Sequence, residues 1–294
     1  MKTRFFLPVI AILLTVVVSC KKDAMYLQLP ETSWNVSNEG QEGYICYHDA
    51  SHASVLQTIL ASGLTQVRHG SYVCDGHRVD FTASDGSSVN LVRTFTHLKN
   101  SKNKNLSRVK PESWESVEGS VWTSLADNQL HVAYFPDGKN CVDISYKNVS
   151  REEGVPYGWD VPSMQPYKLD DSQLQAGSFS SILFKDFLIV NNWAAKCVNP
   201  GQAEEKGSSE LMGTVWTYYN KGYPADMPAI IIFNSPTQFT RIMAQTSVVF
   251  EALTGTYSIS GNRVKMTLGN KSESCLLSES SFTFFERTYS RMDY

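Results

Sequence analysis

A tryptophan returns three times in matching company: Thr32-Ser33-Trp34, Ser120-Val121-Trp122-Thr123 and Thr214-Val215-Trp216-Thr217, 88 and 94 residues apart. Self-similarity on this scale constrains the fold more than any local propensity, because each copy has to be the same kind of folding unit. Behind each tryptophan comes an apolar run of β type, a turn and a second run: 44–47 then 55–59, 131–135 then 141–146, and 229–233 then 239–242. Pro136-Asp137-Gly138 and Asn234-Ser235-Pro236 supply turn chemistry between the runs, so each pair reads as a hairpin. Gly70-Ser71-Tyr72 to Gly76-His77-Arg78-Val79 is echoed by Gly255-Thr256-Tyr257 to Gly261-Asn262-Arg263-Val264, two alternating strands around a glycine turn. The middle copy departs from this echo, with a proline-rich excursion over 156–162 ahead of Tyr167. Closing strands are expected at 89–98, 179–190 and 282–287.

Polar stretches at 99–112 and 199–210 have the composition of exposed linkers and set the expected boundaries: β units over 20–100, 113–198 and 210–294. A period near 90 residues is too long for propeller blades, which repeat at about 40 to 50. Short helices are expected only at 51–63 and 245–253. The fold class is therefore mainly β, in tandem antiparallel meander units. With 42% hydrophobic against 19% charged residues the chain can bury real cores. A net charge of −3 supplies no polybasic field for nucleic acid, which is excluded as a partner.

The first residues read as an address. Lys2 and Arg4 precede an apolar run over 5–18, shorter than the roughly 20 residues of a spanning helix. Residues 1–19 are expected to be a signal peptide. Its end, Val17-Val18-Ser19-Cys20, resembles the lipobox of bacterial lipoproteins. The resemblance implies that Cys20 carries a diacylglycerol anchor, and Lys21 in place of an aspartate after it implies the outer membrane; which face is left open. Gly119 or Gly213 shortly before a tryptophan, followed by a meander of six or so strands, resembles the small lipocalin-like domains of bacterial envelope lipoproteins. That resemblance implies a barrel whose opening tryptophan plugs one end. On the residues alone, small β-sandwiches with core tryptophans fit as well.

Chemistry is sparse. His48, His52, His69, His77 and His97 crowd the first unit beside Cys46 and Cys74. His48 and His52 are weak metal candidates, because in an extended chain four residues separate them by about 13 Å. The five cysteines after Cys20 are expected as buried free thiols, although Cys46 with Cys74 and Cys141 with Cys197 leave intra-unit disulfides open. There is no Gly-x-Ser-x-Gly elbow, Cys-x-x-Cys or phosphate loop, so the chain is read as a non-enzyme without a cofactor. Tyr157, Trp159, Met164 and Tyr167, spread among Pro156, Pro162 and Pro166, are the candidate ligand-binding residues, since prolines stiffen a loop and present its aromatics. The expected function is binding of a small apolar molecule or glycan, enclosed by inward residues such as Ile231, Phe233 and Val264. A scaffold of solid β units meeting an envelope protein partner is the rival.

Overall fold

The computed structural model describes residues 26–177, 179–191, 193–201, 209–218 and 227–294. Among them every regular element is a β-strand and every ladder is antiparallel.

The first eight strands are β1 (Thr32–Asn35), β2 (Gln41–Tyr47), β3 (His52–Ile59), β4 (Leu64–Asp75), β5 (Arg78–Ala83), β6 (Ser88–Arg93), β7 (Leu98–Lys99) and β8 (Ser107–Val109). They form a meander from β1 to β7. β8 then pairs with β1, and a Lys99–Asn105 bridge ties β7 to the approach to β8, so the ring closes. Residues 107–109, read from composition as linker, are thus the closing strand of the first barrel.

The second set comprises β9 (Val121–Ala126), β10 (Gln129–Tyr134), β11 (Asn140–Lys147), β12 (Gly158–Trp159), β13 (Ser163–Asp170), β14 (Gln173–Ala176), β15 (Phe179–Leu183), β16 (Phe187–Val190) and β17 (Trp193–Asn199). β17 returns to β9 with Lys196 opposite Thr123, closing an eight-stranded up-and-down barrel with β12 as a flap on β11. Closure leaves no unpaired edge.

The third set is β18 (Val215–Tyr218), β19 (Ala229–Ile232), β20 (Gln238–Ala244), β21 (Val249–Ser260), β22 (Arg263–Leu268), β23 (Lys271–Leu276), β24 (Ser281–Phe284) and β25 (Arg287–Met292). β25 pairs back onto β18. The seam between β23 and β24 has no ladder; the Phe285 N–H donates across it to the Glu273 carboxylate at 2.7 Å.

The meander of six or so strands is therefore eight in each set, with β12 as a ninth, short strand in the second. The helices expected at 51–63 and 245–253 are absent: β3 and the start of β21 occupy those stretches. β3 is hydrogen-bonded to β2 and β4 along its whole length, and β21 begins between β20 and β4, so sheet pairing overrides the weak local pattern.

One chain of atoms occurs at all three opening tryptophans. Indole Nε1 of Trp34, Trp122 and Trp216 donates to Thr32 Oγ1, Ser120 Oγ and Thr214 Oγ1 at 2.9, 2.8 and 2.8 Å. Each hydroxyl in turn donates to a carbonyl three residues earlier, that of Leu29, Val117 or Leu211, at 2.5, 2.5 and 2.6 Å. A buried indole needs an acceptor, and a hydroxyl two residues back both receives it and passes the bond to the backbone. A tyrosine hydroxyl clasps the first inter-run turn in the same threefold way: Tyr72 to Asp49 O at 2.7 Å, Tyr167 to Asp137 O at 3.3 Å and Tyr257 to Ser235 O at 2.9 Å.

The twelve-residue strands β4 and β21 carry Gly70 and Gly255 where a neighbouring strand comes very close. A Cβ on Gly70 would stand 2.1 Å from the Thr82 carbonyl oxygen, and one on Gly255 2.5 Å from that of Thr267. β4 also pairs with β21, which joins the first and third sets into one continuous sheet. The second barrel sits against both. Its Leu130, Val132, Ile144 and Tyr146 share a core with Ile230, Ile232, Ile242 and Phe250 of the third set and Val67 of the first. Tyr44, Cys46 and Leu56 meet Phe184, Phe187 and Ala194 at the other joint, beside a Lys196–Glu42 ion pair.

Candidate functional site

The alternation along β10 and β11 decides what lies inside the second barrel. Leu130, Val132, Tyr134, Val142, Ile144 and Tyr146 point outward into the shared core. In a strand the alternate residues take the other face. His131, Ala133, Cys141, Asp143 and Ser145 therefore line the interior. The usual apolar-in, polar-out arrangement is reversed here because the outer face of these strands is buried against neighbouring barrels.

Small residues at inward positions leave space. A cavity of about 180 Å³ lies within the barrel, lined by Trp122 and Leu188 together with the small Ala133, Ala176 and Ala195. Its lining is mostly apolar, interrupted by His131, Asp143, Ser145, Gln165 and Ser181. Phe179 is the one lining residue with more than a third of its surface exposed, and marks the side that meets solvent. The corresponding interiors of the first and third barrels hold Trp34, Ile45, Tyr47 and Phe81, and Trp216, Ile231, Phe233, Phe239 and Phe284, all buried.

The electrostatics of the cavity centre on Asp143 and His131. Burial raises the Asp143 carboxyl above its usual range, although His131 works against the shift. Burial likewise lowers the His131 imidazole, which nearby Asp143 opposes, and its ring stacks on Trp193 at 5.7 Å. Asp160, outside the cavity lining, has a different environment: burial would raise it, but Lys147 Nζ and Ser145 Oγ each donate to it at 2.7 Å and hold it low. Among the described residues no donor hydrogen-bonds the Asp143 carboxylate. The Cys141 thiol is pushed up to about 12 by burial and so is not a thiolate nucleophile.

The candidate residues of the proline-rich excursion divide. Tyr157 and Met164 are nearly half exposed, and the Arg151 guanidinium lies 5.5 Å from the Tyr157 ring centre. Trp159 is half-buried, edge-on to Tyr146 at 5.1 Å, with its Nε1 donating to Tyr218 O at 3.4 Å. Tyr167 points inward and packs edge-on against Phe135 at 5.1 Å. None of the four lines the cavity; Gln165, between two of them, does. Ile231, Phe233 and Val264 lie in the filled core of the third barrel and enclose no space in the second. Cys20 and the signal residues lie outside the described residues.

His48 and His52 diverge. His52 Nδ1 pairs with Asp49 Oδ2 at 2.8 Å near solvent. His48 Nε2 lies 2.6 Å from Ser54 Oγ, which is 2.7 Å from His69 Nδ1, and His69 Nε2 reaches Leu125 O at 3.1 Å. The carbonyl can only accept, so His69 donates from Nε2, accepts at Nδ1 the hydrogen bond donated by the Ser54 hydroxyl, and leaves Ser54 to accept from His48. This relay joins the first barrel to the second. Burial lowers both rings to about 4. Among the described residues no group of three or more His, Cys, Asp or Glu side chains is placed to hold a metal. None of the five described cysteines is in a disulfide.

No family model matches the chain, and no curated protein matches it. Among solved structures it is similar to the DNA polymerase III subunit beta from Pseudomonas aeruginosa, at 8% identity over 90% of this chain and 91% of that one, with a TM-score of 0.15. A DnaN sliding clamp from Bartonella birtlesii bound to griselimycin gives 7% identity over 90% and 91%, again at 0.15. A likeness at that score carries no argument about fold or function.

His131, Asp143 and Gln165 were not legible as site residues. A signal existed for Asp143: it is a charge on the inward phase of an otherwise apolar run over 141–146.

Proposed function

We propose that the chain is a lipid-anchored envelope protein built of three tandem lipocalin-like barrels, of which the second encloses a small, largely apolar molecule. The observation that carries this reading is the cavity of about 180 Å³ inside that barrel, apolar except for a few convergent polar groups. Its size suits a single-ring compound: an apolar cavity of about 150 Å³ takes benzene. The first and third barrels, filled by their own aromatics, act as supports that hold the second through the shared core. Tethering is proposed at Cys20 in the outer membrane, with no catalytic step and no cofactor.

A second reading has its own observation. Val161 is 91% exposed, and Val155, Tyr157 and Met164 of the same excursion are about half exposed, so this loop is the surface through which a glycan or a protein partner would be met.

Native mass spectrometry of the chain purified from envelope extracts tests the ligand reading. A discrete adduct that disappears on denaturation and is missing from an Ala133→Ile variant supports it. A bare mass in both, with a glycan or protein partner retained through the loop, transfers the function to the outer surface.

A further inference from the structure

We infer that the second-barrel cavity takes a compact hydrophobic cation, a single ring bearing a short amine, whose ammonium pairs with Asp143. The inference rests on the reading of that barrel as a ligand site and names the ligand class.

Register makes the case. Cys141 and Asp143 on β11 correspond to Phe239 and Arg241 on β20 and to Ala53 and Val55 on β3, because Cys141, Phe239 and Ala53 face Gln165, Gly255 and Gly70 two residues before the clasping tyrosines. In the first barrel the inward position is therefore Val55, uncharged. In the third it is Arg241, whose guanidinium is neutralised by Glu251 within the same barrel. In the second it is Asp143, which faces a cavity and has no donor among the described residues.

A carboxylate set in an apolar wall without a counter-charge is costly, and the third barrel shows how the same scaffold meets that cost with a second side chain. Here the space where a partner would stand is the cavity itself. Two indole rings, Trp122 and Trp193, line the same space, and indole is the aromatic group that attracts a cation most strongly. His131 is a poor source of the missing charge: burial lowers its imidazole from the ordinary value, against the opposing pull of Asp143. An anionic ligand would meet Asp143 with like charge, and a neutral one would leave it unpaired.

The test is isothermal titration of the full chain in detergent with three probes of one shape: benzylamine, benzyl alcohol and benzoate. The expected result is benzylamine bound at least tenfold more tightly than benzyl alcohol, with no binding of benzoate. In Asp143→Asn the benzylamine affinity should drop to that of the alcohol while the alcohol affinity stays unchanged, which also shows that the variant barrel is folded. Equal affinities for amine and alcohol in the native chain, or an amine preference that survives in Asp143→Asn, overturn the cation assignment and leave the cavity standing. If none of the three binds, the ligand reading of the second barrel itself fails.

Discussion

Ala133 stands directly opposite Trp122 across the β9–β10 ladder, at the position that Ile231 holds opposite Trp216 and Ile45 holds opposite Trp34. One side chain thus accounts for part of the difference between a hollow barrel and two filled ones. Ala133→Ile is expected to close the cavity, abolish benzylamine binding, and change unfolding free energy by no more than about 1 kcal/mol, since burying new methylenes and crowding the wall oppose each other. Titration and urea denaturation of the same sample check both parts; retained binding would place the ligand elsewhere.

The indole clasp makes Ser120, Thr32 and Thr214 equivalent in kind. Removing the hydroxyl leaves a fully buried indole N–H of Trp122 without its acceptor. Ser120→Ala and Thr214→Val should each lose roughly 1–3 kcal/mol of stability. Denaturant midpoints read this directly, and losses below a few tenths would show the clasp to be incidental.

Acid should loosen the joint between the first and second barrels. His48 and His69 have folded pKa values of about 4 against an ordinary 6.5, driven by burial, with Asp49, His52 and His69 facing the first ring and Asp127 and His131 the second. Below pH 6.5 the unfolded chain takes up protons that the folded chain refuses, so stability falls as pH drops toward 4. The expected loss between pH 7 and 5 is roughly 2 kcal/mol per ring. Stability measured at both pH values, in the native chain and in a His48→Gln/His69→Gln variant with a flatter profile, checks it; identical slopes would discount the relay.

Close approach at the bends gives a sharper sign. Gly70→Ala places a methyl against the Thr82 carbonyl, and Gly255→Ala places one against Thr267 and the Phe239 ring. Each should lower the unfolding free energy by about 1–3 kcal/mol, read as a lower denaturation midpoint, because backbone cannot yield as a flexible side chain would. Wild-type stability in either variant would mean that the strands are further apart than described.

The architecture was largely legible because its signals are local. Each opening tryptophan carries its hydroxyl two residues earlier, and the turns at Pro136-Asp137-Gly138 and Gly261-Asn262 state their geometry in sequence. The site was not, for a physical reason. The direction in which Val132 and Ile144 face depends on what covers the outside of the barrel, and that cover comes from Ile230 and Phe250, about a hundred residues away in the chain. Aromatics in a proline-rich loop make Tyr157 and Met164 conspicuous in the sequence, whereas the hollow is made by absences: Ala133, Ala176 and Ala195 line it, the first of them where the other barrels place Ile45 and Ile231. Small residues announce a cavity only once the register is known.

Whether the second barrel is hollow can be read from a crystal structure of the chain under xenon pressure. Xenon enters dry apolar cavities without regard to ligand identity. A strong peak is expected in the second barrel among Trp122, Ala133 and Leu188, lost in Ala133→Ile, with no peak inside the first or third. An empty second barrel, or equal peaks in all three, would contradict the contrast between one hollow barrel and two filled ones.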